Sequence, residues 1–109
     1  MNWVGFDLDG CLAKHESGDG VDKIGDPILP VVILLKEEAK NYEVRIMTAR
    51  VCSLMGVEEI RKQTRMIQDW CEVFIGFRPR VTSEKDYEMI RLYDDRARQV
   101  QTNTGRLIE

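Results

Sequence analysis

The chain has 109 residues, 43% hydrophobic and 32% charged, and its 16 basic and 19 acidic side chains leave a net charge of −3. That length holds one core and no second domain, the composition lies outside the disordered range, and the acidic balance argues against a nucleic-acid-coating protein. The cysteines Cys11, Cys52 and Cys71 fit neither a metal knuckle nor a disulfide framework, and the single histidine, His15, excludes a histidine-rich zinc site. After Met1 there is no basic start or long apolar run, and no stretch approaches the ~18 apolar residues of a membrane span, so a soluble cytoplasmic domain with no membrane partner is expected.

In chain order the pattern alternates short apolar runs with amphipathic stretches, which predicts βαβα. Trp3 to Phe6 is apolar on both faces and reads as a covered strand. Residues 10–25 hold four glycines and form a long loop, the one candidate lid. Asp26-Pro27 predicts an N-cap and first helical position, with Pro30 still in the first turn and the helix ending near Lys40 at Asn41. Glu43 to Met47 predicts the second strand. From Leu54 to Cys71, Val57, Ile60, Ile67 and Cys71 share a helical face. Val73-Phe74-Ile75 predicts a third strand, Arg78-Pro79-Arg80 a turn and Ile90 to Tyr93 a fourth strand. A last strand is expected at Arg106 to Ile108 after an Asn103-Thr104-Gly105 turn.

Candidate chemistry gathers at strand ends. Asp7 and Asp9 end the first strand, Thr48 the second, and Asp94 and Asp95 the fourth. In an open parallel sheet the carboxyl ends of the strands line one crevice, where ligands bind. Carboxylates on neighbouring strands, about 4.8 Å apart, can share one ion. An all-oxygen donor set selects a hard cation such as Mg²⁺.

Each feature has an ordinary structural counterpart. Asp7-Leu8-Asp9-Gly10 alone is also a strand end with an Asp-Gly turn, and Asp94-Asp95 alone a helix cap. Thr48 is also a capping or core hydroxyl, and Lys85 a surface lysine. Other motifs fail on residue identity. Cys11-Leu12 stand where a P-loop opened by Gly5 and Gly10 requires Lys-Ser/Thr. A cysteine phosphatase needs an arginine six residues after its nucleophile, where Ser17, Glu58 and Phe77 stand. The acidic pair comes last and Lys85 before it, the reverse of a receiver domain. Arg61 to Arg65 reads as a solvated helical face paired with Glu58 and Glu59.

Phe6-Asp7-Leu8-Asp9-Gly10-Cys11-Leu12, Met47-Thr48-Ala49-Arg50, Lys85 and Leu92-Tyr93-Asp94-Asp95-Arg96 resemble, in order, the four motifs of the haloacid dehalogenase superfamily. The spacings of 41, 37 and 9 residues from Asp7 through Thr48 and Lys85 to Asp94 fit a member without a cap domain. The loop, Asp-Pro, Thr-Ala-Arg and Asp-Asp-Arg features look most like small phage and bacterial proteins related to the phosphatase domain of polynucleotide kinase. The resemblance implies a three-layer, Rossmann-like open parallel sheet and Mg²⁺-dependent phosphomonoester hydrolysis through an aspartyl-phosphate. It implies Asp7 as nucleophile, Asp9 as proton donor and acceptor, and Thr48, Ala49, Arg50 and Lys85 as phosphate contacts. Metal ligation is implied for Asp7, the Asp9 carbonyl and Asp94, with Asp95 acting through water. Arg50 has a second reading, fixing the loop. Cys11 departs from the family's usual threonine. The expected substrate is a phosphorylated small molecule such as a nucleotide, or a nucleic-acid 3′-phosphate end gripped by Arg50, Arg78, Arg80, Arg96 and Arg98. The alternative is a phosphate- or metal-binding module without turnover; a purely structural domain is the third reading. The sequence does not specify an oligomeric state.

Overall fold

The computed structural model describes residues 2–108. Its elements are β1 (Trp3–Phe6), α1 (Leu29–Glu38), β2 (Glu43–Met47), α2 (Val57–Phe74), β3 (Arg80–Thr82) and β4 (Met89–Tyr93), with short 3-10 turns at Ala49–Val51 and Ser53–Met55. The strands form one all-parallel sheet in the order β3-β2-β1-β4. The chain is therefore α/β with an open parallel sheet, and β1, whose four residues are all buried, sits inside it.

The register explains which face is covered. Val4 pairs with Val44 and Phe6 with Ile46, so these four share a face. They form one cluster with Val32 and Leu35 of α1 and with Ile67, Trp70 and Cys71 of α2. Right-handed crossovers advancing in one direction put consecutive helices on the same side of a sheet, and both helices feed this one core. The expected three layers are therefore not formed. The return from β3 to β4 must cross about 14 Å of sheet, and residues 83–88 reach at most about 20 Å, which leaves no room for a helix.

That short strap closes the second face differently. Trp3 is fully buried there, and its indole N–H donates to Asp86 on the strap at 2.8 Å. The Arg45 guanidinium lies 4.5 Å from the Trp3 ring centre and reaches Glu43 at 3.0 Å and Asp86 at 3.4 Å. The Trp3 and Glu88 N–H groups hold the Asp86 carboxyl below its ordinary value. On the helical face, Phe6 stacks on Tyr93 at 4.5 Å, and the Tyr93 hydroxyl donates to Glu38 of α1 at 2.7 Å.

Three predicted elements shift. α1 begins at Leu29 with Ile28 as N-cap, because the chain just before it is used elsewhere. Lys14 N–H donates to the Asp26 carbonyl and Ile28 N–H to that of Leu12, so Asp26-Pro27 lies against residues 12–14 as an extended pair. Val73 and Phe74 complete α2 rather than forming a strand, and the third strand is Arg80–Thr82. A β-branched and aromatic triplet is ambiguous by propensity. Here Phe74 packs on Trp70 one turn earlier, and the helix stops at Gly76, whose φ of 101° suits a C-terminal cap and whose N–H returns to the Cys71 carbonyl. Val57 is solvent-exposed rather than on the buried face of α2. At the C-terminus only a Val100–Leu107 bridge forms, not the expected strand. No helix among the described residues is long and apolar enough to cross a membrane.

Candidate functional site

Parallel strands deliver their carboxyl ends to one rim. β1 runs into Asp7, whose N–H extends the ladder by donating to the Tyr93 carbonyl at 2.9 Å, and β4 runs into Asp94 and Asp95. Carboxylate oxygens of Asp7, Asp94 and Asp95 all lie within 4.8 Å of one another. Asp94 also accepts from Arg96 N–H at 2.7 Å, which closes a turn; no helix follows among the described residues, so Asp94 does not serve as the helix cap its sequence allowed. Gly10 has a φ of 85°, and a Cβ there would lie 2.6 Å from Asp95 Oδ2, so glycine lets the Asp95 carboxylate fold over the loop.

The Asp7 carboxyl is pushed up to about 7, first by burial, then by its hydrogen bond with Asp95 and the negative charges of Asp94 and Asp95. The Leu8 backbone N–H acts in the opposite direction. Three acids brought this close suit a divalent cation held by oxygen alone. Opposed ligands of a cation with bonds of about 2.1 Å are about 4.2 Å apart, a span comparable to that of this cluster.

Asp9 is held apart from these three. Both its oxygens accept from Arg50, Nε to Oδ2 at 2.8 Å and Nη2 to Oδ1 at 2.9 Å, and His15 Nδ1 lies 3.4 Å from Oδ1. Arg50 is 4% exposed and all five of its N–H donors are engaged. Besides Asp9 it donates to the Val21 and Lys23 carbonyls and to Gln63 Oε1, the last at 3.1 Å. No donor remains for a phosphate, so of its two sequence readings Arg50 takes the loop-fixing one. The 10–25 loop is correspondingly anchored rather than a free lid. Trp70 Nε1–H donates to the Gly25 carbonyl, and any Cβ on Gly25 would strike the Lys14 carbonyl oxygen.

Gln63 is the residue the sequence did not reveal. It is fully buried in α2, accepts from Arg50 and donates to the Val21 carbonyl at 2.8 Å. The available signal was a polar residue four positions before Ile67 on the apolar face of α2.

Thr48 is buried at the end of β2, where its hydroxyl accepts from Arg50 N–H at 3.2 Å as an N-cap. Its own hydrogen stays available to donate, and Ala49 beside it opens a 3-10 turn, whose first N–H groups have no acceptor within the turn. Thr48, Ala49, Asp7, Asp9, Asp94 and Asp95 all line one crevice of about 990 Å³. Lys85 does not line it; it is exposed, on the strap that leaves the rim for the second face. Arg78 and Arg80 are also remote, lining a hollow at the start of β2 beside Glu43, where Arg78 pairs with Asp69 and Glu72.

Cys11 is buried, and its thiol donates to the Tyr93 carbonyl at 3.5 Å, tying the loop to the end of β4. Burial, then the charges of Asp7, Asp95 and Asp94, push this thiol up to about 12, and burial does the same for Cys71. Iodoacetamide at pH 7.5 is therefore expected to alkylate half-buried Cys52 and leave Cys11 and Cys71 intact, as read by peptide mass spectrometry. Rapid labelling of Cys11 would show that its tie to Tyr93 is open in solution.

Comparison with known proteins finds no matching family model, no matching curated protein and no matching solved structure.

Proposed function

We propose that the chain is a divalent-cation-dependent phosphomonoester hydrolase of the haloacid dehalogenase type, working through an aspartyl-phosphate on Asp7. The observation that carries this reading is the convergence of Asp7, Asp94 and Asp95 at one rim, with an oxygen from each carboxylate close enough to share one ion. Asp7, Asp94 and Asp95 would hold Mg²⁺, which when bound neutralises charge on the phosphate and on the attacking carboxylate.

An Asp7 oxygen attacks phosphorus and the bond to the alcohol oxygen breaks, the alcohol taking a proton from the Asp9–His15 pair. Water then attacks phosphorus, returning its proton to that pair. Inorganic phosphate leaves and the Asp7 carboxylate is restored. Thr48 and the Ala49 N–H contact the phosphoryl oxygens, and Arg50 acts by fixing Asp9. Lys85 lies outside the crevice lining and takes no part in these steps.

The test is p-nitrophenyl phosphate turnover with Mg²⁺ or with EDTA, comparing wild type with Asp94→Asn. Turnover that needs Mg²⁺ and falls about 100-fold or more in the variant is expected; a wild type no faster than the variant would remove the reading. The Arg50 grip on Asp9 and the exposed Lys85 favour one alternative, a cation- or phosphate-binding module without catalysis. Saturable Mg²⁺ binding by calorimetry with no turnover would establish that one.

A further inference from the structure

We propose that the crevice selects phosphomonoesters whose alcohol portion carries a positive charge, of the aminoalkyl phosphate kind; this rests on the hydrolase reading above. Beyond Asp7, Asp9, Asp94 and Asp95, the crevice walls carry Glu16, Asp19 and Glu84, all three exposed. Against these seven carboxylates stand the guanidinium groups of Arg50 and Arg96 and the imidazole of His15. Arg50 is spent on Asp9, Gln63 and two carbonyls, and His15 faces Asp9. Even with a divalent cation bound, the lining is more negative than positive before a phosphate enters.

The loop that bears Glu16 and Asp19 is also held in place. Arg50 fastens the Val21 and Lys23 carbonyls just beyond it, and Glu16 N–H donates to the Asp19 carboxylate at 2.8 Å, holding the turn. A second anionic group on the substrate would therefore meet Glu16, Asp19 or Glu84 with little but Arg96 to balance it. An ammonium group would meet a wall of opposite sign. The same arrangement disfavours a nucleic-acid end, because Arg78 and Arg80, two of the expected backbone contacts, line the hollow beside Glu43 instead. The preference is electrostatic, so it weakens as salt contracts the screening length from about 30 Å at 0.01 M to about 3 Å at 1 M.

Three esters of matched size isolate the charge: 2-aminoethyl phosphate, 2-hydroxyethyl phosphate and phosphoglycolate, each with Mg²⁺. At low salt kcat/KM should fall in that order by about tenfold overall or more, and the spread should shrink at 1 M salt. Calorimetric affinity for 2-aminoethylphosphonate should likewise exceed that for phosphonoacetate, a readout independent of turnover. Glu16→Gln with Glu84→Gln should compress the amine-to-carboxylate ratio about fivefold. Equal rates on all three esters, or faster turnover of phosphoglycolate or of a 3′-phosphorylated oligonucleotide, would overturn the substrate class and leave the hydrolase reading intact. No turnover of these esters or of p-nitrophenyl phosphate would overturn both.

Discussion

Asp7→Asn is expected to lower kcat/KM for p-nitrophenyl phosphate about 10³-fold or more, the loss that follows removal of a covalent nucleophile, while making the chelator-treated protein more stable at neutral pH. The second effect follows from linkage. Asp7 has a pKa of about 7 in the folded chain against an ordinary value of 3.8. Between those values the folded state binds the proton more tightly than the unfolded chain, so stability falls as pH rises through the window, and the full penalty remains above it. Fully realised, that rise would be worth about 4 kcal/mol; with half-buried Asp7 partly screened by solvent, about 1–2 kcal/mol is expected, or about 5–10 °C in Tm. Glu38, Glu43 and Asp86, whose carboxyls are lowered by Arg91, Arg45 and Trp3 respectively, contribute with the opposite sign, losing stability as pH falls. They are common to both proteins, so the difference between wild type and variant from pH 4 to 8 in EDTA isolates Asp7. Mg²⁺ should raise the wild-type Tm at pH 7 and leave that of Asp7→Asn nearly unchanged. A flat difference across the pH range would show that the three carboxylates do not gather in solution.

The largest loss of stability is expected from Arg50→Ala. The change strips partners from the Asp9 carboxylate, Gln63 Oε1 and the carbonyls of Val21 and Lys23 together. Removing one side of a buried charged network costs about 3–5 kcal/mol, against a total of about 5–15 kcal/mol for a typical domain. A Tm lower by about 15 °C or more should result, with proteolysis now beginning in residues 15–24. Arg50→Lys should recover only a small part, since an ammonium lacks the planar fork that grips both Asp9 oxygens. A phosphate-contacting Arg50 would behave otherwise: Arg50→Ala would then raise KM at nearly unchanged Tm, an outcome that would reinstate the role the motif alone suggested.

What was legible in the sequence was what short-range chemistry decides. β1 and β2 lie where the pattern predicted them: Trp3–Phe6 is apolar on both faces, as a covered parallel strand requires, and Glu43–Met47 places Val44 and Ile46 on the core face. Asp7, Asp94 and Asp95 share one rim because parallel strands open their carboxyl ends together, and they meet because β4 lies beside β1. The start of α1 was not legible: Asp26-Pro27 is locally a good helix start, and a distant partner, residues 12–14, competes for its backbone. Nor was the fate of Val73-Phe74, which propensity leaves open and packing against Trp70 decides.

The sequence by itself determined the parallel α/β class and the common address of its acidic groups, since both depend on periodicity and strand direction. Tertiary structure decided how those groups are employed. It gave Asp9 to Arg50, carried Lys85 away on a strap too short to hold a helix, and left both helices on one face. Such outcomes depend on which donors and acceptors remain unsatisfied once the core has closed, and that competition joins residues as distant in the chain as Gln63 and Val21, 42 positions apart, and Trp3 and Asp86, 83 apart.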